Sequence, residues 1–383
     1  MTTNTTNHLE TIDSTILTPL VQRALDAPSA RVLAWEYQPI YAGMGTGTAL
    51  YRVSGLASHQ GETAPWSLIL KVLGEDSNRA DPAHPEWWRR ETEAYRSGHL
   101  EVLPAGWSSP RCFGVVDYPG EGCWIWLEEV TDRMGGSWPL AHYGTVARHL
   151  GQFNGAYLER EPLPQWSWLS RNWLRQTVEQ AAPALPLLRK HGDHPMVRRM
   201  LKQSGQEKLL GLWAEREFFF SLLAHLPQTL CHMDAFRRNL FTCENGDGSA
   251  RMVAVDWSFT GPEAVGTEIL YLTAGSLGFF EVEIEKAEEL DEIVFEGYIE
   301  GLRDLGWCGD PRQVRLAYAT ASLRYALGTL GPILHVLIDE EFYPHTQQIV
   351  NCTIEELADC WGKIFQWFFT CLDEARSIAR ILS

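Results

Sequence analysis

Three oxygen-bearing side chains have a spacing in this chain that could support chemistry. Asp234 and Asn239 lie five residues apart, just after His232, and Asp256 follows Asn239 by seventeen residues. In phosphoryl-transfer enzymes generally, one Asp accepts the proton of the attacking hydroxyl, while an Asn and a second Asp hold the metal ions on the nucleotide phosphates. The spacing therefore predicts phosphoryl transfer, with Asp234 as the base and Asn239 and Asp256 as metal ligands.

A predicted hairpin would position two of these side chains. Leu240–Cys243 is a short apolar strand, residues 244–248 (Glu-Asn-Gly-Asp-Gly) are typical of a hairpin turn, and Arg251–Val255 is the returning strand. Such a hairpin presents Asn239 at one strand end and Asp256 at the adjoining end of its partner. Both oxygen ligands can then face one hard cation, and Mg²⁺ prefers oxygen ligands.

Other polar residues of this loop are open to two interpretations. We expect His232 to make an organising hydrogen bond rather than to react, because it lies before the loop. Arg237 and Arg238 could neutralise phosphate charge or could be solvated surface residues.

An upstream lysine and glutamate form a candidate phosphate-binding pair. Lys71 stands inside the apolar strand Trp66–Val72, and Glu91 lies on the apolar stripe of a helix predicted over Pro85–Gly98. A buried lone charge is unfavourable, so each of these side chains needs a partner. Pairing them would satisfy both and direct Lys71 towards the α- and β-phosphates.

Two further segments could contact a nucleotide. Gly43, Gly45 and Gly47 lie between two predicted strands, where glycines let the backbone approach phosphates, although an ordinary hairpin loop has the same composition. Residues 128–132, which include Glu129, form a polar exit from a strand. In a kinase arrangement this segment would be the hinge, whose backbone groups contact the adenine edge. The same residues are equally compatible with a plain strand end.

Composition excludes several classes of protein. The chain has 383 residues, 45% of them hydrophobic, which is enough for two domains or for one domain of two lobes. Its net charge of −17 and the absence of a basic block argue against nucleic acid and anionic membranes as partners. The eight cysteines lack metal-binding spacing, the N-terminus lacks a secretory signal, and the apolar runs are short. A cytoplasmic location with reduced thiols is expected.

Taken together, the motifs resemble the aminoglycoside phosphotransferase and choline kinase family, a branch of the protein-kinase-like fold. The resemblance spans roughly residues 33–335 and is carried by residues 231–234, 239–241, 255–257, 90–95 and 70–71. It implies ATP and Mg²⁺ as cofactors, Asp234 as the catalytic base, and Asn239 and Asp256 as magnesium ligands. Lys71 would hold the ATP phosphates and Glu91 would brace it.

The chain departs from the family pattern at three places. Met233 stands where the family usually has Gly, and Arg237-Arg238 stand where a Pro-Gly or similar pair often precedes the Asn. Glu268 takes the place of a later Asp that steadies the loop. These departures remove no reacting group, but they leave the acceptor open.

The resemblance implies an α+β, two-lobed architecture. We predict a disordered tail over residues 1–12, a nucleotide-binding N-lobe over 13–130 with an antiparallel sheet and one helix, and a larger, mostly helical C-lobe over 131–383 that carries catalysis and substrate binding.

The predicted function is ATP-dependent transfer of the γ-phosphate to a hydroxyl of a small molecule. An amino-sugar, an amino-alcohol or a sugar would fit, and the acidic chain would suit a cationic acceptor. Trp166, Trp168 and Trp173 are expected to be core aromatics or part of a substrate wall, and the core is the favoured alternative. With the segment His335–His345 they are the candidate contacts for the acceptor. The alternatives are a protein kinase, against which the short distance from Asp256 to Gly261-Pro262-Glu263 argues, and a nucleotide-binding pseudoenzyme.

Overall fold

The structure is a computed structural model that describes residues 9–40, 48–244, 250–350 and 352–382. Their contacts form two compact units. The first comprises residues up to Met134, Trp166–Trp168 and Leu240–Phe259. The second comprises Gly135–Gln165, Leu169–Asn239 and the residues from Thr260 onward.

Ten strands lie within the described residues. In chain order they are β1 (Arg31–Ile40), β2 (Thr48–His59), β3 (Glu62–Gly74), β4 (Trp107–Ser108), β5 (Cys112–Tyr118), β6 (Gly122–Glu128), β7 (Gln228–Cys231), β8 (Leu240–Glu244), β9 (Ala250–Ala254) and β10 (Gly261–Ala264).

Thirteen α-helices accompany them in the same described part of the chain. They are α1 (Ser14–Ala24), α2 (Arg90–Arg96), α3 (Leu140–Glu159), α4 (Trp173–Glu179), α5 (Ala184–His191), α6 (Pro195–Met200), α7 (Gln203–Ala224), α8 (Ile269–Gly278), α9 (Ala287–Asp304), α10 (Pro311–Gly328), α11 (Leu330–Ile338), α12 (Tyr343–Val350) and α13 (Ile354–Leu382).

The first unit is built on an antiparallel five-stranded sheet with the order β1-β2-β3-β6-β5. The alternate apolar residues Trp66, Leu68 and Leu70 of β3 are buried in its core, as the period of two in a half-buried strand requires. A second sheet, β4-β9-β8, contains the two strands of the predicted hairpin, which pair Leu240 with Ala254. Residues 245–248 of the predicted turn lie outside the described residues. The predicted combination of an antiparallel sheet and a largely helical remainder is confirmed.

The start of the chain corrects one prediction. Residues 1–8 of the predicted disordered tail lie outside the described residues, but Leu9 and Ile12 are buried in the core of the first unit. These apolar side chains remove surface from water there, which a disordered tail would not do. Helix α1 begins directly after its N-cap residue Asp13, whose carboxylate accepts hydrogen bonds from the backbone N–H groups of Thr15 and Ile16.

The helix predicted from Pro85 is much shorter in the structure. Helix α2 begins at Arg90, and in the segment before it the carbonyl groups of Pro82, His84 and Pro85 accept hydrogen bonds from the guanidinium of Arg90. The acidic residue of interest, Glu91, nevertheless lies in this helix and is buried as predicted.

The second unit consists mainly of helices, with β7 and β10 paired antiparallel among them. Helices α3 and α9 pack closely, since Gly151 and Gly301 leave room for the opposing backbone. The stretch Pro311–Ile338 is long and apolar enough to cross a membrane. It is divided into α10 and α11, however, and α10 packs against α13, as the core helix of a globular unit does.

Candidate active site

In the first unit, two carboxylates lie against one ammonium group. The Nζ atom of Lys71, in β3, lies 2.5 Å from Glu91 Oε2 and 3.1 Å from Asp256 Oδ1. The side chains of Lys71 and Glu91 are only 7% and 1% exposed, whereas that of Asp256 is 37% exposed. The predicted pairing of Lys71 with Glu91 is therefore present, and Asp256 is the member of the cluster that solvent or a ligand can reach.

This buried arrangement keeps the lysine charged. Burial alone would lower the pKa of Lys71, but the nearby carboxylates of Asp256 and Glu91 outweigh it, so the pKa is raised. Burial raises the pKa of Glu91, and the ammonium of Lys71 acts against that shift. Lys71 is consequently a fixed positive charge near neutral pH, which suits binding of phosphate oxygens.

Asp256 is held in an unusual backbone conformation. It follows strand β9 with a φ of 64°, in the left-handed region that Asp tolerates better than most residues. The next residue, Trp257, is fully buried and donates its indole N–H to the carbonyl of Ala254 at 3.0 Å. The buried ring anchors the chain directly after Asp256, and the hydroxyl of Ser258 then donates to Asp256 Oδ1 at 2.6 Å.

In the second unit, the loop that carries Asp234 is held by one buried carboxylate. Glu268 accepts hydrogen bonds from the backbone N–H groups of His232 and Met233, the latter at 2.9 Å. Met233 is fully buried and has a φ of 65°, a left-handed conformation that costs a non-glycine residue roughly 1–2 kcal/mol. The Gly usual in the resembling family fits this conformation, and here the two bonds to Glu268 hold a Met in it.

Glu268 is in turn fixed by a buried polar network. Asn154 of α3 donates through Nδ2 to Glu268 Oε2 and to the carbonyl of Leu230, both at 2.8 Å. The hydroxyl of Tyr298 donates to Asn154 Oδ1 at 2.7 Å. Burial raises the pKa of Glu268 to about 7, although these hydrogen bonds act against the shift. A satisfied network of this kind gives the loop a single conformation.

Because of this raised pKa, we expect Glu268 to make stability depend on pH. The folded pKa of about 7 exceeds the ordinary value of 4.5. The contribution of this group to stability is therefore full below the ordinary pKa and is lost, by at most about 3 kcal/mol, as the pH rises through the folded pKa. Glu268→Gln cannot ionise, so its unfolding free energy relative to the parent should increase between about pH 5 and pH 8. Urea denaturation across this range measures the change.

A substitution at a second buried glutamate, Glu263, separates the effect of pH on stability from an effect on the geometry of the Asp234 loop. Burial also raises the pKa of Glu263 to about 7, and its carboxylate accepts the N–H of Leu174 at 3.2 Å. Glu263→Gln should reproduce the change with pH while leaving kcat unaltered. Glu268→Gln should also lower kcat, because its amide N–H₂ would face the Nδ2 donor of Asn154. An unfolding difference that stays constant with pH for both variants would contradict the assignment.

Asp234 and Asn239 are brought together as the sequence predicts. Asn239 Nδ2 donates to Asp234 Oδ2 at 2.7 Å and to the backbone carbonyl of Asp234 at 3.1 Å. Since the amide nitrogen is committed to Asp234, the amide oxygen is the atom of Asn239 that could bind a cation. His232 is fully buried, and its Nδ1 accepts the N–H of Asp234 at 3.3 Å, which is an organising bond of the expected kind.

The two arginines between them are paired with a single acid. Arg237 Nη2 and Arg238 Nε lie 2.7 and 2.9 Å from Glu281 Oε1. Arg238 also stacks over the ring of Phe279, with its guanidinium carbon 4.2 Å from the ring centroid. Both arginines therefore help to fix the Asp234 loop to the residues after α8.

The donor chemistry of these residues fits a magnesium ion. The carboxylate of Asp256 and the amide oxygen of Asn239 are hard oxygen donors, and Asp256 is exposed enough to meet a hydrated cation. Among the described side chains, no group of three or more His, Cys, Asp or Glu residues could hold a metal. Each of these two residues offers a cation hard oxygen donors and leaves other coordination positions to phosphate oxygens and water, as Mg²⁺ commonly requires.

Several other predicted contacts have different outcomes. Gly43, Gly45 and Gly47 lie outside the described residues. The side chain of Glu129 accepts hydrogen bonds from Ser67 and, at 2.7 Å, from Arg52 Nε, so a nucleotide contact there would involve the backbone.

The acceptor contacts predicted among the tryptophans are largely in the core. Trp168 and Trp173 are buried, and the indole N–H of Trp173 donates to the hydroxyl of Tyr271 at 2.9 Å. Trp166 is half-buried and stacks on Trp168, while His335 and His345 are exposed.

Three residues that stabilise the site escaped sequence analysis. Asn154 was detectable in principle, as a lone amide among apolar residues of a predicted helix, a position that requires buried partners. Glu281 carries no such signal because its partner Arg238 lies 43 residues away, and Ser258 carries none because a polar residue after a strand is common in loops.

The antiparallel sheet unit followed by a mainly helical unit defines the protein-kinase-like fold, and solved structures confirm it. No family model and no curated protein matches the sequence. A choline kinase from Cryptosporidium parvum Iowa II is similar with a TM-score of 0.55 at 14% identity, covering 95% of this chain and 97% of that one. An aminoglycoside phosphotransferase from Alicyclobacillus acidocaldarius has a TM-score of 0.52 at 13% identity, covering 89% and 92%.

A third similar structure is the amicoumacin kinase hAmiN in complex with AMP-PNP, Ca²⁺ and Ami, with a TM-score of 0.50 at 13% identity, covering 94% of this chain and 96% of that one. At these identities the likeness establishes the fold. The resemblance to choline kinases and aminoglycoside phosphotransferases that the motifs carry is thus confirmed at the level of the fold over most of the chain.

Proposed function

We propose that this protein transfers the γ-phosphoryl group of ATP to a hydroxyl of a small molecule. The observation that carries the proposal is the buried ammonium of Lys71, held between Glu91 and Asp256 at 2.5 and 3.1 Å. A fixed cation beside an accessible carboxylate is the arrangement that holds phosphate oxygens next to a metal ion. The similar structures, which are named as small-molecule kinases, support the same activity.

In this proposal each residue has a stated task. Lys71 binds the α- and β-phosphates, and Glu91 keeps it in place. Asp256 and Asn239 bind Mg²⁺, which when bound neutralises the charge of the phosphates. Asp234 accepts the proton of the acceptor hydroxyl, and its bond to Asn239 fixes the orientation of its carboxylate. The glycine-rich segment 43–47 and the backbone at Glu129 would complete the nucleotide contacts.

Positioning supplies most of the catalysis in such a reaction, because the loose transition state needs little covalent help from the protein. The buried network behind Asp234 supports this idea, since Glu268 binds the backbone N–H of Met233 and is itself held by Asn154. The free thiols of all eight cysteines, which lie within the described residues, suit the reducing cytoplasm that we propose as its location.

A protein kinase fits the described segment after Asp256 less well. Residues Gly261–Ala264 already form strand β10, paired with β7, so no long activation segment separates Asp256 from the helical unit. A pseudoenzyme fits less well too, since Lys71, Glu91, Asp234, Asn239 and Asp256 are all present.

A coupled ADP-release screen over amino-sugars, amino-alcohols and sugars tests the proposal. With Mg²⁺ and ATP we expect at least one acceptor class to release ADP well above the rate with water, and phosphorus NMR should detect the phosphate ester. Asp234→Asn is the matched control for contaminating kinases. Nucleotide binding without turnover on any acceptor would indicate a pseudoenzyme, and strong labelling of generic proteins would indicate a protein kinase.

A further inference from the structure

The hydroxyl of Ser258 connects the two acids of the first-unit cluster. Its Oγ donates to Asp256 Oδ1 at 2.6 Å and lies 3.4 Å from Glu91 Oε2. A hydroxyl has one hydrogen to donate, so the short bond to Asp256 is the stronger of the two contacts. The effect of Ser258 on the cluster is therefore exerted mainly through Asp256.

Two donors on one carboxylate oxygen restrict how that carboxylate can turn. Asp256 Oδ1 receives both the ammonium of Lys71, at 3.1 Å, and the hydroxyl of Ser258, at 2.6 Å. Because the two donors come from different segments of the first unit, rotation of the carboxylate would break at least one of the bonds. The direction of the second oxygen, Oδ2, is thereby fixed as well.

Arg90 fixes the backbone of Ser258. The guanidinium has five N–H donors, and all five are directed at backbone carbonyl groups. Their distances are 2.9 Å to Trp168, 2.5 Å to Pro85, 3.0 Å to Ser258, 3.3 Å to Pro82 and 2.8 Å to His84.

This arginine is buried, and no carboxylate of the described residues pairs with it. Its residue exposure is 1%, and burial lowers its pKa to about 10, so it remains a cation near neutral pH. Lysine could not replace it, because an ammonium has three donors and lacks the planar fork. Arg90 thus joins four segments of the first unit, and one of them is the turn that follows Asp256.

We propose that Ser258 is a positioning residue for Asp256, and that Arg90 holds Ser258 in the place from which it acts. This inference rests on the proposed function, since it assumes that Asp256 binds Mg²⁺. Its consequence is that metal affinity depends on two residues that contact neither the metal nor the substrate. Residues that orient metal ligands typically change metal affinity by about 10- to 100-fold when they are lost.

Binding of Mn²⁺ to the full chain with AMP-PNP, followed by electron paramagnetic resonance, tests the inference without turnover. Ser258→Ala should weaken Mn²⁺ binding by about tenfold, and Ser258→Thr, which keeps the hydroxyl, should restore most of the affinity. Ser109→Ala is a matched control, because that partly buried hydroxyl of the first unit donates to the carbonyl of Leu100 at 3.1 Å. It should bind Mn²⁺ as the parent does.

Arg90→Lys tests the second half of the inference. It should lower the affinity for Mn²⁺ as Ser258→Ala does, and it should also lower the melting temperature, because several carbonyl groups lose their donor. In the Ser258→Ala background, Arg90→Lys should weaken Mn²⁺ binding little further, since both substitutions act on Asp256 through the same hydroxyl.

The possible failures are distinguishable. If the parent protein binds AMP-PNP and Mn²⁺ but Ser258→Ala binds Mn²⁺ equally well, Ser258 does not position Asp256 and the proposed function stands. If Arg90→Lys lowers only the melting temperature, Arg90 supports the fold alone. If the parent binds no Mn²⁺ with AMP-PNP, the proposed function fails and this inference fails with it.

Discussion

Asp234→Asn is expected to lower kcat by between about 10²- and 10⁴-fold, the contribution of a positioned general base. The amide is nearly isosteric with the carboxylate, and its oxygen can still accept the 2.7 Å bond from Asn239. The loop should therefore keep its conformation, and affinity for Mg²⁺ and ATP should change little. Steady-state kinetics with the acceptor found by screening, together with calorimetry of nucleotide binding, measures the two effects separately.

Asp304→Asn provides the matched comparison for Asp234. The carboxylate of Asp304 belongs to the same unit and binds Arg148 and Gln152, each at 2.7 Å. Removing its charge should leave kcat unchanged. The assignment of Asp234 as the base would have to be abandoned if Asp234→Asn turned over the acceptor at the parental rate.

Lys71→Met is the other substitution with a large expected effect, because it acts on stability as well as activity. Removing one partner of a buried ion pair typically costs about 3–5 kcal/mol, since the other charge is left without compensation. The side chain of Glu91 is 1% exposed and would lose its 2.5 Å contact, so it would have to take up a proton. Equilibrium unfolding in urea should show the loss, and turnover should be abolished with the phosphate contact.

A double variant separates these two consequences. Lys71→Met with Glu91→Gln removes the uncompensated charge, so most of the lost stability should return while turnover stays absent. Lys363→Met is the surface comparison: its 2.7 Å pair with Glu285 is exposed, and we expect no measurable change in stability. If the double variant were as unstable as the single one, Lys71 would support the first unit through packing rather than through charge.

Local patterns determined a large part of this protein. The apolar run around Lys71 and the apolar run before Asp256 both predict strands, and in the structure each of them pairs within a sheet. These features depend on contacts with residues close in sequence, which is why a linear reading detects them. The spacing of Asp234 and Asn239 belongs to the same class, since five residues of one loop suffice to bring the two side chains into contact.

Only the tertiary structure determined the hydrogen-bond partners that hold those side chains in place. Helix α2 begins at Arg90 rather than near Pro85, where the guanidinium of Arg90 binds five carbonyl groups from residues 82–85, Trp168 and Ser258. The loop of Asp234 is held by Glu268 and Asn154, which are 34 and 80 residues away in sequence, as their numbers show. Hydrogen bonds between such distant residues cannot be predicted from sequence periodicity, because no fixed spacing relates the donor to its acceptor. The sequence by itself thus supplied the groups that we propose to react, whereas their orientation and their charge states follow from burial and partners that only the folded chain supplies.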